Sequence, residues 1–250
     1  MIQVKSLSKV FYDKKNGEIT AVNNISFTCK KGQIFGLLGP NGAGKTTTLR
    51  ILATMLSPTK GKVTVNGYDV VQKSHQVRQS IGFLSSETGL YDRFTPRETV
   101  QFFGRINGLD ENTIEKQMAN IFNILGMNHY KNTRVDKLST GMKQKLSIAR
   151  AIIHNPPVLI FDEPTVGLDV ITARTVIDYI REFKQMGKCI IFSTHQMNEA
   201  EKLCDEIAII HFGKLLSAGS LNDLQKNNPA KDLEEIFFHL IKTESSKSSI

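Results

Sequence analysis

Eight residues, Gly39-Pro40-Asn41-Gly42-Ala43-Gly44-Lys45-Thr46, follow the pattern G-x-x-x-x-G-K-[ST]. Glycines at these positions let consecutive backbone N–H groups turn inward around phosphate oxygens, and the helix start that follows adds a partial positive charge. Lys45 is of the right length to reach β and γ phosphates, and Thr46 supplies a hydroxyl ligand for Mg²⁺. A plain glycine turn is the alternative. The setting weighs against it, because the apolar run Gln33 to Leu38 precedes the loop and helical spacing at Leu49, Leu52 and Leu56 follows it. The chemistry so defined is binding of a nucleoside triphosphate with Mg²⁺, which does not say what the energy is used for.

Two further groups bear on that question. Val158-Leu159-Ile160-Phe161-Asp162-Glu163 is an apolar strand that delivers two carboxylates at its C-terminal end, where ligands bind in open α/β sheets. Beside a phosphate loop, Asp162 belongs in the Mg²⁺ shell, and Glu163 sits where it polarises an attacking water. Leu138-Ser139-Thr140-Gly141-Met142 stands ahead of a helical stretch, so Ser139 and Gly141 form a second small anion nest. Taken alone, Ser139 reads better as an ordinary helix N-cap, and its place in the series of motifs is what favours the nest.

The elements that position these residues follow from periodicity. Ile2 to Leu7 and Ile25 to Cys29 alternate as antiparallel strands, with a polar turn over Asp13 to Gly17. Helix is expected over Thr46 to Met55, and strands over Lys62 to Gly67 and Ile81 to Leu84. Residues from about 85 to 151 read as a helical insertion, in which Thr95-Pro96-Arg97-Glu98 is a capping-box helix start. A helix over Ile171 to Met186, a strand over Cys189 to Ser193, a short helix over Gln196 to Leu203 and a strand over Ile207 to His211 complete the alternation. The fold class is α/β: a P-loop NTPase core with a mainly parallel sheet, an antiparallel β subdomain and an inserted α-helical subdomain. Residues 1–225 form the ATPase domain, and 226–250 a helical tail frayed over Thr243 to Ser249.

In order and spacing these motifs are identified as those of ABC (ATP-binding cassette) ATPase subunits. Gly39 to Thr47 resembles the Walker A motif, LSTGM at Leu138 to Met142 the signature, and Ile160 to Pro164 Walker B with its glutamate. Gly167-Leu168-Asp169 resembles the D-loop, and Ser193-Thr194-His195 ends a strand with the switch histidine. The resemblance implies ATP and Mg²⁺ as cofactors, Glu163 as general base, and Lys45 and His195 at the γ phosphate. It implies a head-to-tail dimer with itself or a homologue, in which Ser139, Gly141 and Asp169 serve the opposite protomer. It also implies an integral membrane permease and a peripheral place on the cytoplasmic face of the membrane. An aromatic about thirty positions before the phosphate loop stacks on adenine in the family. Phe11 and Tyr12 stand there, and a buried strand aromatic is the equal alternative.

The sequence departs from the family at two points. Thr140 and Met142 replace the signature's second glycine and its glutamine. Ser85-Ser86-Glu87 follows the strand that usually leads to the Q-loop glutamine; neither Ser86 nor Glu87 reproduces an amide's paired donor and acceptor, and Glu87 is assigned to face Mg²⁺ or water. The segment Ile81 to Thr95 is similar to the NatA-type ATPases of sodium-extruding transporters, which implies Na⁺ efflux, with drug, peptide or lipid export as the alternative.

Composition bounds the reading. Hydrophobic residues at 40% and charged residues at 22% describe a globular chain, and no apolar run approaches the ~20 residues that span a bilayer. The start, Met1 to Leu7, lacks a secretory apolar core, so a cytosolic location is expected. The net charge of +8 is spread without a long basic block, which keeps an ABC-type ATPase of DNA or ribosomes only as a rival. A nucleotide sensor without turnover is the third reading, opposed by Glu163 and His195. Cys29, Cys189 and Cys204 have no metal-ligand spacing and read as reduced, mostly buried thiols.

Overall fold

The computed structural model describes residues 1–13, 17–85, 89–228 and 232–247. Its strands form two sheets. The first is antiparallel, in the order β2-β1-β4-β5, from β1 (Ile2–Asp13), β2 (Gly17–Cys29), β4 (Lys60–Val65) and β5 (Tyr68–Asp69). The second has the order β10-β9-β3-β8-β7-β6, from β3 (Ile34–Leu38), β6 (Ile81–Ser85), β7 (Val158–Asp162), β8 (Cys189–Thr194), β9 (Glu206–His211) and β10 (Lys214–Gly219). All its pairings are parallel except β10 with β9.

Strands β3, β7 and β8 are buried along their whole length, which is why their sequences are continuous apolar runs rather than alternating ones. Their register matters most for function. Leu38 lies opposite Thr194, and Asp162 opposite Ser193, so the three strands end together. The phosphate loop, the acidic pair and His195 therefore leave the sheet along one edge.

Helix α1 (Lys45–Leu52) packs between the two sheets, where Leu49 and Ile51 join Ile2, Leu37, Ile160 and Ile191 in one core. It stops short of the expected Met55 because Thr54 takes a φ of +61°, outside the helical region. On the other face of the large sheet, α3 (Pro96–Ile106), α4 (Glu111–Ile124), α5 (Thr140–Ile152) and α6 (Val170–Gln185) enclose a core containing Phe122, Leu146, Phe161, Ile180 and Phe192. The capping box at Thr95 is present: Thr95 Oγ1 accepts from Glu98 N at 3.2 Å, and Thr95 N donates to Glu98 Oε2 at 2.8 Å.

Several elements differ from the sequence expectation. Helix α2 (Ser74–Ser80) is too short and polar to show a clear period, and it buries only Val77 and Ser80. Strand β10 is half exposed at the sheet edge. The C-terminal segment, expected to fray from Thr243, continues as helix through Lys247. After α7 (Met197–Leu203) and α8 (Leu221–Asn227), α9 (Leu233–Lys247) buries Leu233, Ile236 and Phe237 against Leu38, Ile207 and Ile209. Its last turns are held by Glu244, which pairs with Lys214 of β10 at 2.6 Å, and by Thr243 Oγ1, which donates to His239 O.

Thr95→Ala removes the Oγ1 bonds to Glu98 N and Glu98 Oε2 while leaving the Thr95 N–H to Glu98 bond, and should cost about 1 kcal/mol of stability. Urea unfolding would show this as a lower midpoint at unchanged slope; an unmoved midpoint would mean that the box holds nothing.

Candidate nucleotide site

A cavity of about 300 Å³ opens at the end of β3, lined by Pro40 to Thr47, Asp162, Glu163 and Ala21. Gly39, the loop's first residue, lies just outside it, on the side towards His195. The loop's shape depends on Gly44. Its φ is +100°, and a Cβ there would meet the carbonyl oxygen of Ala21 at 2.4 Å, so a side chain is excluded both by backbone conformation and by the close approach of β2. Helix α1 begins immediately after, with its N-terminus at the cavity.

Lys45 is 4% exposed and must satisfy its ammonium internally. Its Nζ donates to Gly39 O at 2.6 Å and to Pro40 O at 3.1 Å, and pairs with Glu163 Oε1 at 3.0 Å. Glu163 Oε2 lies 3.2 Å from His195 Nδ1. The carboxylate thus stands between a lysine from the phosphate loop and a histidine from the end of β8. Glu163 takes a φ of +50°, which is uncommon for a residue with a side chain, and its N–H donates to Ser193 Oγ at 3.0 Å. Strain of this kind persists only where surrounding bonds impose it, and Ser193 provides them.

Asp162 is 2% exposed and accepts from Ser193 Oγ at 2.6 Å and Thr46 Oγ1 at 3.2 Å. A hydroxyl and a carboxylate at the mouth of a phosphate-sized cavity are hard oxygen donors, which fits Mg²⁺ held mainly through a nucleotide's phosphates. Among the described residues no cluster of three His, Cys, Asp or Glu side chains offers an all-protein cage. Glu87 and Ser86 lie outside the described residues.

Ser139 and Gly141 do not line this cavity. Ser139 caps α5, accepting from Met142 N at 3.3 Å. A Cβ on Gly141 would meet Thr172 Oγ1 and Cγ2 at 2.9 Å, so the glycine lets the start of α5 lie against the start of α6. There Asp169 caps α6, accepting from the N–H groups of Ile171 and Thr172, each at 3.0 Å, and from Thr172 Oγ1 at 2.7 Å. The Thr172 hydroxyl and backbone bonds hold the Asp169 carboxyl below the usual carboxylate range. Gln144 Nε2 donates to Pro164 O at 2.6 Å, which ties α5 to the turn after β7.

Phe11 and Tyr12 stand exposed on β1, and neither lines the cavity. Lys9 Nζ lies 5.0 Å from the Phe11 ring centroid. Sequence reasoning missed Ala21, Ser193 and Gln144 as parts of the site. A serine two residues before the switch histidine was the only available signal for Ser193; Ala21 and Gln144 carried none.

The parallel sheet, the loop at the end of its central strand and the buried lysine define a nucleoside-triphosphate-binding domain of the phosphate-loop class. Residues 22–166, more than half of the chain, match the ABC transporter family. The chain is 43% identical to the ABC transporter ATP-binding protein NatA of Bacillus subtilis (strain 168) over 95% of its own length and 96% of the relative's. It superimposes on a solved ATP-binding subunit of an ABC transporter with a TM-score of 0.86 at 27% identity, covering 96% of this chain and 99% of that one. It also matches the dimeric structure of MJ0796, a bacterial ABC transporter cassette, with a TM-score of 0.80 at 25% identity over 88% and 99% of the two chains. The chain belongs to the ABC transporter family, as an ATP-binding subunit.

Gly44→Ala forces a Cβ against Ala21 O and should weaken binding of a fluorescent ATP analogue at least about tenfold, with strain of roughly 1–3 kcal/mol in the folded state. Binding equal to the parent chain's would show that the loop tolerates the side chain.

Proposed function

We propose that this subunit hydrolyses ATP with Mg²⁺ as a head-to-tail dimer, and that hydrolysis drives Na⁺ export through a separate membrane permease. The observation that carries the hydrolytic part is the placement of the Glu163 carboxylate between Lys45 and His195 at the cavity mouth. Lys45 and the N–H groups of the phosphate loop bind and orient the phosphates. Bound Mg²⁺, held by Thr46 and Asp162, would neutralise charge on them. Glu163 accepts hydrogen bonds from an incoming water and orients it, and His195 shares a carboxylate oxygen with that path and fixes its direction.

Dimerisation is supported by where the second anion nest stands. Ser139 and Gly141 do not line the phosphate-loop cavity of their own chain, which is consistent with their facing the loop of a second copy. Beside them Val170 and Ile171 are 86% and 80% exposed, an apolar pair at the start of α6 that another surface would cover. Asp169 lies at the same edge and would face the partner's loop. Phe11 or Tyr12, both exposed on β1 ahead of the phosphate loop, stacks on the adenine.

No helix among the described residues is long and apolar enough to cross a membrane. Membership of the ABC transporter family supports a transport path in a separate permease, with this subunit peripheral on the cytoplasmic face. A groove of about 760 Å³ between α2 and the ends of α3 and α5, lined by Met55, Phe83, Phe103 and Ile106, is the face assigned to that partner. What supports Na⁺ as cargo is the resemblance of the Ile81 to Thr95 segment to NatA-type ATPases of sodium-extruding transporters, together with similarity to NatA over nearly the full length.

Glu163→Gln should retain ATP binding, lose at least about a hundredfold in turnover and accumulate as an ATP-bound dimer on size-exclusion chromatography; undiminished turnover would remove Glu163 from the mechanism. Ile106→Glu, far from the phosphates, should leave basal ATPase activity intact while abolishing copurification with the permease and Na⁺ efflux from vesicles. Efflux of an organic cargo but not of Na⁺ by the parent complex would overturn the cargo assignment.

A further inference from the structure

Cys29 closes β2 and Cys189 opens β8, so they are 160 positions apart and belong to different sheets, yet their Sγ atoms lie 3.2 Å apart. Both side chains are fully buried in the core between the sheets. Around them are backbone carbonyls: Ile190 O at 3.5 Å, Lys30 O at 3.8 Å and Gln33 O at 3.9 Å from Cys29 Sγ, and Cys29 O at 3.7 Å from Cys189 Sγ. Among the described residues, each thiol has the other as its only side-chain hydrogen-bond partner.

The pair is buried but not deep. Lys30 and Lys31, directly after Cys29, are exposed, and the turn they form is tied down by the bond from Gly32 N to Lys188 O at 3.1 Å. Opening that turn gives a small oxidant a path to the sulfurs. The chain's amino group also lies close by, donating to Cys29 O at 3.1 Å.

We propose that Cys29 and Cys189 form a reversible disulfide, joining the antiparallel sheet to the parallel one when the protein meets hydrogen peroxide. The two sulfurs are differentiated in the direction this needs. The hydrogen bond between the two thiols lowers the Cys189 pKa, whereas the same bond and burial raise that of Cys29. Cys189 thiolate attacks one peroxide oxygen, the O–O bond breaks, and the leaving hydroxide takes a proton to become water. Cys29 sulfur then displaces hydroxide from the resulting Cys189 sulfenic acid; the S–S bond forms, and the Cys29 proton and the hydroxide leave as a second water. Two thiols and one peroxide thus become a disulfide and two waters, with both sulfurs oxidised and the peroxide reduced.

Such a bond closes a loop that contains the phosphate loop, α5, Asp162 and Glu163, so it restrains the unfolded chain strongly and fixes β2, with Ala21, relative to the cavity. The test uses the folded full chain carrying Cys204→Ser, treated with hydrogen peroxide, then denatured, alkylated and mapped by mass spectrometry. Expected are loss of two hydrogens, one peptide pair linked through Cys29 and Cys189, reversal by dithiothreitol, and a rise in the thermal midpoint on the order of 10 °C that Cys189→Ala abolishes. Two free alkylated thiols, or separate sulfinic acids without a crosslink, would overturn the proposal. Should Cys204→Ser fail to fold, the same map on the parent chain decides, and a bond from either cysteine to Cys204 or to another molecule counts against it.

Discussion

The arrangement of the site depends on one buried carboxylate. Asp162, 2% exposed at the end of β7, receives hydroxyls from Thr46 on α1 and Ser193 on β8. A charge placed there without partners would cost several kcal/mol, so the two hydroxyls are required by the burial itself. In satisfying Asp162 they fix the ends of three elements relative to one another. Ser193 also holds the backbone of Glu163 in its left-handed conformation, and this sets the carboxylate between Lys45 and His195. Phosphate binding and water activation, as proposed, thus share a single anchor.

A second constraint ties this anchor to the surface. Pro164, two residues beyond Asp162, accepts from Gln144, and Gly141 permits α5 to lie against Thr172 at the start of α6. The start of α5 at Ser139 is therefore tied to the same turn that follows Asp162. A shift of the acidic pair would pass to the surface proposed to meet a second copy. Coupling of this kind needs no long pathway, because the two regions are separated by one turn of chain and one side-chain hydrogen bond.

Much of this was legible in the sequence because the motifs are local. Gly39 to Thr46, Asp162-Glu163 and His195 each lie at the end of an apolar strand, and burial of those strands on both faces leaves a continuous apolar run that is easy to read. The Thr95 cap was legible for the same reason. What was not legible came from contacts distant in the chain. Ala21 reaches Gly44 only because β2 crosses the phosphate loop, and Cys29 meets Cys189 only because the two sheets pack there. The length of α9 was misjudged because a polar ending carries no period, while its order comes from Glu244 pairing with Lys214 on β10. Phe11 and Tyr12 satisfied a spacing rule, but the strand places both rings outside the cavity lining.

The central claim is that each ATP is completed by two chains, the phosphate loop of one and Ser139 with Gly141 of the other. Its most direct test is ATPase complementation between chains carrying Lys45→Ala and chains carrying Ser139→Phe, each folded and measured alone and then mixed. Neither chain alone should turn over ATP, and the mixture should recover activity, because a mixed dimer holds one unaltered loop facing one unaltered nest. A mixture as inactive as its components, or full activity of Ser139→Phe by itself, would contradict the shared site.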